Sequence, residues 1–334
     1  MVRPAGLFSN RYKLEDIPDL SGKVAVVTGG SRGIGEQVVS ALAQKGCEVH
    51  ILSSTEAHAR EAIDKITKST SVSASLLHHH TIDLGSLADV ISLSKTLSSS
   101  LSRLDILYLI AGVGVAPYGE TNDGIGNHYG VNVLAHMVLV DGLLPKMRET
   151  AQTKTGDEKW TTRIVAESSE LHRAAPSEIK CEDLEEMNSE DMDPTKLYGR
   201  SKLFDLMFIR QLAYHLPPLA SPTPILALSV HPGAVQTEQQ QGATEVYGLP
   251  GKALEVVASW AFMTPDQGAE SALWAGTSPA VGERREEAQG RYFTEADGKV
   301  DTESAQGQDQ ELGRKLWDLS VRVLKEKVGY EVKM

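Results

Sequence analysis

Short apolar runs alternate along the chain with longer stretches whose apolar positions recur every three to four residues. KVAVVTGG (23–30) is a β-branched run ending in glycines, the pattern of a strand buried on both faces followed by its turn. IGEQVVSALAQKG (34–46) places Ile34, Val38 and Leu42 at i, i+4 and i+8 and offers Gly46 as a C-cap, which predicts a helix. EVHILSS (48–54) predicts a second strand, and HHHTIDLG (78–85) ends a third. DILYLIAG (105–112), TRIVAESS (162–169) and PILALSVHPG (224–233) supply a fourth, fifth and sixth, and GRYFTEADG (290–298) a seventh.

Strands separated by crossovers of helical length imply a parallel sheet covered on both sides. The predicted fold is therefore α/β, a Rossmann-type doubly wound parallel sheet of about seven strands with helices on both faces. Ligands of such sheets sit at the carboxyl ends of the strands, near the switch in strand order. Three stretches break the rhythm. Residues 65–77 are Ser/Thr-rich and read as a surface connection. Residues 177–193 are acidic and read as a solvated loop with a helical turn. Residues 238–262 contain Gly248, Pro250 and Gly251 and read as a partly helical lid. No interdomain linker is visible, so an N-terminal arm (1–20) and a single domain (21–334) are expected.

Composition narrows the classes. A formal net charge of −12 argues against nucleic acid or an anionic membrane as a main partner. The two cysteines, Cys47 and Cys181, form no Cys-x-x-Cys pair, so neither a disulfide framework nor a zinc signature is expected. His78, His79 and His80 are consecutive; in a strand they alternate faces, which is poor geometry for chelation by all three, and no metal site is expected. No run of 18 apolar residues suggests a membrane span, and the N-terminus reads as a polar arm without the apolar core of a signal peptide. A cytoplasmic protein is the expectation.

The first strand ends in TGGSRGIG (28–35), where Gly29, Gly33 and Gly35 have Gly-x-x-x-Gly-x-Gly spacing. Between a β-branched run and an amphipathic helix, such a loop lets backbone approach a pyrophosphate and presents the helix N-terminus to it. Gly29, Ser31, Arg32, Gly33, Ile34 and Gly35 are thus candidate cofactor contacts. NAD-selective sites place a carboxylate after the second strand; here that strand ends in Ser53, Ser54 and Thr55, with no acid before Glu56. Hydroxyls donate to a 2′-phosphate, and the Arg32 guanidinium suits pairing with it, so NADP(H) is favoured over NAD(H).

TRIVAESS leaves Ser168 and Ser169 at the end of the fifth strand, and LYGRSK supplies Tyr198 and Lys202. Of nine tyrosines, Tyr198 alone has a lysine four positions on, and residues i and i+4 share a helix face. A phenol titrates near about 10, too high for easy proton exchange at neutral pH; a lysine ammonium and an oxidised nicotinamide are expected to lower it. The set suits proton transfer to or from the oxygen of a carbonyl or alcohol.

With these motifs in this order the chain resembles the short-chain dehydrogenase/reductase family over roughly residues 20–300. The resemblance rests on TGGSRGIG (28–35), Asp83 in TIDL, Asn132 in YGVNVLAHMVLV, Ser169, Tyr198 and Lys202 in YGRSK, and HPGAVQTE (231–238). It implies that Ser169 rather than Ser168 is the catalytic serine, beside Tyr198 and Lys202, with Asn132 holding a water in the relay to Lys202. It further implies adenine contact by Asp83, backbone approach at Ala111 and Gly112, and a nicotinamide pocket shaped by Pro232, Gly233 and Val235 with Thr237 near the carboxamide. The long Ser169–Tyr198 spacing, SKLFDLMFIRQLAYHL and SVHPGAVQTE are similar to the retinol-dehydrogenase and WW-domain-oxidoreductase branch, here without a WW domain or an N-terminal membrane anchor. The arm ending in IPDLSGKVAVVTGG is similar to that of soluble fungal reductases, some of which tailor secondary metabolites. Family pairing into homodimers or homotetramers would suit the apolar face of residues 131–145, which would equally suit packing on the sheet.

The expected function is an NADP(H)-dependent oxidoreductase interconverting a carbonyl and an alcohol on a small to medium, partly apolar substrate. Leu171, His172, Tyr247, Leu249, Trp260 and Phe262 are candidate pocket residues. The alternative is a non-enzymatic NADP-binding regulator on the same fold, against which the retention of Ser, Tyr and Lys argues. Dehydration or epimerisation goes with a Gly-x-x-Gly-x-x-Gly loop, which residues 29–35 do not match. One departure stands out: Leu109 and Ile110 in DILYLIAG occupy the place of the family's usual Asn-Asn before Ala111 and Gly112; this reads as a repacked strand in which apolar burial offsets a lost side-chain hydrogen bond, and it puts in doubt how tightly the adenosine side of the site binds.

Overall fold

Seven parallel strands form the sheet in the computed structural model, which describes residues 12–153, 161–221, 224–233, 264–296 and 298–334. The strands are β1 (Val24–Thr28), β2 (Glu48–Ser53), β3 (Leu77–Thr81), β4 (Ile106–Leu109), β5 (Thr162–Glu167), β6 (Ile225–Val230) and β7 (Tyr292–Phe293), in the order β3-β2-β1-β4-β5-β6-β7. All seven expected strands are present. Val27 pairs with Ile51 on one side and Tyr108 on the other, so the order reverses between β1 and β4 and opens the ligand crevice there.

Helices cover both faces. On one side lie α1 (Gly33–Gln44), α2 (Glu56–Ser69) and, further along the chain, Pro265–Thr277; on the other lie α3 (Leu87–Ser100), α4 (His136–Gln152) and α5 (Pro194–His215). The Pro265–Thr277 helix is α6. Ile34, Val38 and Leu42 all face the core from α1, as their spacing predicts. After α1 the Gly46 amide bonds Ala43 O and the Cys47 amide bonds Leu42 O, the paired bonds of a Schellman ending. The surface connection expected at 65–77 begins later than predicted: α2 runs to Ser69, because Ile66 is buried and anchors its last turn.

Two further elements depart from the sequence expectation. Of the N-terminal arm, residues 12–20 lie along the domain surface and send Tyr12, Ile17 and Leu20 into the core. At the other end a 19-residue helix, α7 (Gln310–Val328), was not anticipated; it packs on α5 by stacking Trp317 against Phe208 and His215. Within residues 131–145 the apolar side chains of Val133, Leu134, Met137 to Val140, Leu143 and Leu144 are buried in the chain itself. The Tyr330 hydroxyl and Lys333 amide then bond the Asp141 carboxylate, bringing the C-terminal residues onto α4. Among the described residues no helix is long and apolar enough to cross a membrane.

The missing asparagines after β4 are replaced by a different set of bonds. The buried Thr28 hydroxyl oxygen accepts from the amides of Ile110 (2.9 Å) and Ala111 (3.1 Å). Buried His136 donates from Nδ1 to Asn132 O at 2.9 Å, which leaves Nε2 to accept the Thr28 hydroxyl at 3.2 Å. Burial holds His136 well below the ordinary imidazole range, at about 3, in keeping with this neutral tautomer. Thr28→Val replaces the hydroxyl with a methyl and leaves one buried and one half-buried amide without their acceptor. It should lower the unfolding free energy in urea by about 2 kcal/mol or more; a loss under about 0.5 kcal/mol would show that the hydroxyl does not hold this turn.

Candidate active site

The glycine loop leaves β1 and enters α1 at the crevice. A Cβ on Gly35 would fall inside contact distance of the Gly29 carbonyl oxygen, so the first turn of α1 lies directly on the loop only because residue 35 is glycine. Ala111 lies against Gly29 from the end of β4, and Ser31 and Ile34 are buried beneath the loop, while Arg32 is exposed at the N-cap of α1. The N–H groups of a first helical turn lack partners within the helix, so this narrow cradle fits a phosphate group. At the next strands the Ile82 amide bonds Ser53 O, so exposed Ser54 and Asp83 emerge side by side. Asp83 is also engaged locally, accepting from the Gly85 amide (2.7 Å) and Asn122 Nδ2 (3.2 Å).

The Ser, Tyr and Lys come together where β5 meets α5. Asp193 caps α5 by accepting from the amides of Thr195 and Lys196, and one turn on, Tyr198 and Lys202 share the face turned to β5. Gly199 permits the approach: a Cβ there would collide with Leu171 O. The two serines have different surroundings. Ser168 is buried and donates to Lys202 O at 2.6 Å, whereas the Ser169 hydroxyl accepts from the Leu171 amide at 3.1 Å and lies near enough to Tyr198 to act on its phenol. Lys202 Nζ stands 5.8 Å from the Tyr198 ring centre.

Asn132 also reaches this cluster, and both ends of its side-chain amide are engaged. Its Oδ1 accepts from the Val113 amide at 2.7 Å, and its Nδ2 donates to Val113 O at 3.1 Å and Ser201 Oγ at 2.9 Å. It sits in a π-helical stretch, Gly130–Ala135, that enters α4; such wide turns recur at functional sites. Pro232 and Gly233 follow β6 at the same rim. Val235, Thr237 and the expected lid at 238–262, with Tyr247, Leu249, Trp260 and Phe262, lie outside the described residues.

The charges around Lys202 were not read from the sequence. Lys202 Nζ donates to Asp205 Oδ2 at 2.9 Å and to Glu167 O at 2.8 Å, and the Lys202–Asp205 pair is almost wholly buried. Burial alone would lower the ammonium, but Asp205, Tyr198 and Glu167 together hold it above its ordinary range, so it stays charged. Burial pushes Asp205 up to about 6 against the pull of Lys202; the 2.9 Å contact favours the ionised pair at neutral pH. Burial pushes Glu167 up to about 7, and its buried Oε2 has no hydrogen-bond partner among the described residues. The phenol shifts opposite to the expectation. Burial raises Tyr198; Lys202 lowers it, in the direction expected of it, and Ser169 lowers it too, but Glu167 and Asp205 add to the rise. Asp205 was legible as the i+3 neighbour of Lys202; Glu167 carried no such signal.

One pocket residue is reassigned. His172 is buried and held at both ring nitrogens, by Ser169 O at 2.6 Å and the Ser304 amide at 3.0 Å, so it braces the serine turn instead of lining an open pocket. Leu171 beside it is 40% exposed and remains available to a ligand.

Comparison with known proteins bears on the family and the fold. The family model for short chain dehydrogenases matches residues 23–169. A short chain dehydrogenase/reductase, dpchH of Colletotrichum higginsianum, is 32% identical over 96% of this chain and 79% of its own. Retinol dehydrogenase 14 of Mus musculus is 32% identical over 90% of this chain and 85% of its own. In structure the chain is similar to the L-sorbose reductase of Gluconobacter frateurii, solved with NADPH and L-sorbose, with a TM-score of 0.62 at 20% identity over 86% of this chain and all of that one.

The buried Glu167 carboxyl has a measurable consequence. Its folded pKa lies above its ordinary value, so the stability it contributes is present below about 4.5 and is lost as pH rises through about 7. Glu167→Gln is neutral at every pH. The variant should therefore gain on the wild type between pH 5 and pH 8.5, by about 1 to 3 kcal/mol, each pKa unit being worth about 1.4 kcal/mol. Chemical denaturation at the two pH values checks this; a difference that does not move with pH means Glu167 is not held protonated.

Proposed function

Because the chain belongs to the short-chain dehydrogenase/reductase family, on its retinol-dehydrogenase-like branch, we propose that it interconverts a carbonyl and an alcohol with NADP(H), using Tyr198 as the acid/base group. The observation that carries the reading is the gathering of Ser169, Tyr198 and Lys202 where β5 meets α5, with Lys202 Nζ 5.8 Å from the Tyr198 ring centre. When bound, the nicotinamide would supply or accept the hydride. Gly29, Ser31, Gly33, Ile34 and Gly35 would hold the pyrophosphate, Asp83 the adenine, Ala111 and Gly112 the adjoining backbone, and Pro232 and Gly233 the nicotinamide end.

In reduction, Ser169 and Tyr198 donate hydrogen bonds to the substrate oxygen, and Tyr198 passes its proton to that oxygen as alkoxide charge develops. Lys202 keeps positive charge beside the phenolate left behind. Asn132 acts as a positioning residue: it fixes the loop after β4 and, through Ser201, the α5 turn between Tyr198 and Lys202. The substrate is a small to medium, partly apolar molecule, for which exposed Leu171 beside the serine offers apolar contact. NADP(H) preference follows from Ser53 ending β2, Ser54 and Thr55 after it and Arg32 in the glycine loop, with no carboxylate of the NAD-selective kind before Glu56.

Two variants test this. Tyr198→Phe keeps the ring and removes the proton, so turnover should fall by at least about a hundredfold, the usual scale of acid/base catalysis, while NADPH binding measured by fluorescence stays near wild type. Retained turnover overturns the assignment. Ser54→Asp places a carboxylate where the 2′-phosphate is expected and should weaken NADPH by about tenfold, about 1.4 kcal/mol, without weakening NADH. Unchanged NADPH affinity would remove the argument for cofactor preference.

A further inference from the structure

The consecutive histidines are poor chelators among themselves, but the neighbouring strand changes their company. β3 is the edge strand, and parallel pairing sets His78 opposite His50 of β2 and His80 opposite Leu52. Glu48, two residues before His50, shares its side of the sheet. His79 points the other way, with Nε2 3.4 Å from Ser53 Oγ. One face of the β2–β3 edge thus presents Glu48, His50, His78 and His80 together. The rings of His78 and His80 both stack on His50, at 4.8 and 5.1 Å.

The donor atoms converge. Glu48 Oε1 is 3.0 Å from His50 Nε2 and 3.4 Å from His78 Nε2, and one ligand atom from each residue lies within 4.8 Å of the others. Ligand atoms about 2.0 to 2.1 Å from a tetrahedral zinc ion stand about 3.3 Å from one another, close to both separations. His50 Nδ1 is 2.8 Å from His80 Nε2. A metal on His50 Nε2 requires the proton on Nδ1, and His80 is placed to accept it, the outer bond that ligating histidines commonly make. The His78 and Glu48 side chains are 42% and 41% exposed and that of His50 is 10%, so the cluster opens to solvent while one ligand is fixed by packing.

The geometry points to a divalent-cation site of the zinc class, ligated by Glu48, His50 and His78, with His80 orienting His50 and a solvent position completing the shell. Two nitrogens and one carboxylate oxygen suit zinc, and hard oxygen-seeking cations are disfavoured. The site bridges β2 and β3 near the start of β2, at the opposite end of that strand from Ser53 and Ser54, so its role is to clip the edge strand to the sheet. It rests on no part of the proposed reaction. An edge strand has one side without a ladder partner, and a cross-strand metal adds a bond where the sheet has least.

The test uses the full chain without a polyhistidine tag, stripped of metal and titrated with zinc chloride against a chromophoric chelator at pH 7.5. One equivalent is expected to bind, with a rise in melting temperature. His78→Gln and Glu48→Gln change exposed side chains and should keep the metal-free melting temperature, yet bind zinc at least about tenfold more weakly and lose the rise; His80→Gln should weaken binding about tenfold or more through the orientation of His50. Wild-type binding no tighter than that of His78→Gln, or a zinc-dependent rise that persists in both ligand variants, overturns the site.

Discussion

The short turn after β4 is the constraint on which the rest of the site depends. Four backbone groups there, the amides of Ile110, Ala111 and Val113 and the Val113 carbonyl, lie between the glycine loop and α5. Thr28 takes the first two, and Asn132 takes both groups of Val113. Each of these two side chains also reaches another element, Thr28 to His136 on α4 and Asn132 to Ser201 on α5. Ser201 precedes Lys202, so the bonds that close the turn also set the helix carrying the Tyr–Lys pair. The apolar Leu109 and Ile110 become intelligible in this light. They are buried, and the polar duty they lack has passed to a threonine at the end of β1 and a histidine on α4.

A second constraint is electrostatic. Lys202 is buried, and a buried ammonium needs a counter-charge. Asp205 supplies it at 2.9 Å from the same helix, and the Glu167 carbonyl adds a further acceptor. The cost falls on the neighbours. Asp205 offsets the pull that Lys202 exerts on the phenol, and it adds to the burial that drives Glu167 toward its neutral form against the pull of Lys202. Lys202 therefore does less to acidify Tyr198 than the i+4 spacing suggests. The balance suits a group that starts protonated and surrenders its proton only when negative charge arises beside it.

The fold was legible because its signals are local. The β-branched run before Gly29, the Ile34, Val38, Leu42 stripe and the serines ending β5 each identify an element without its neighbours, and family order placed Ser169, Tyr198 and Lys202. What stayed hidden was mostly nonlocal. No spacing rule connects Thr28 with Ile110, Glu167 with Asp205, or His172 with Ser304; these pairs meet only after the chain folds. The rise at Tyr198 could not be read without the carboxyls that cause it. Helix α7 is a different case, because its signals were present: Asp309 caps it, Leu312, Leu316, Leu319 and Val323 recur at helical spacing, and Gly329 ends it in a left-handed turn.

The distribution of histidines follows the same logic of neighbours. His136 and His172 are buried with both ring nitrogens bonded, and each uses its two-sided capacity to join elements distant in sequence. His231 is likewise buried, with Nδ1 3.3 Å from the Glu170 amide. His50, His78 and His80 differ because their nitrogens meet one another and a carboxylate instead of backbone groups. A run of three histidines in a strand divides between faces, so a cluster arises only if the adjacent strand contributes at matching parity. Parallel register supplies that parity here, through His50 opposite His78. The two ends of β2 thereby acquire separate chemistry: hydroxyls at the carboxyl end, where nucleotide sites of this architecture form, and nitrogen and carboxylate donors near the start, where the edge strand needs support.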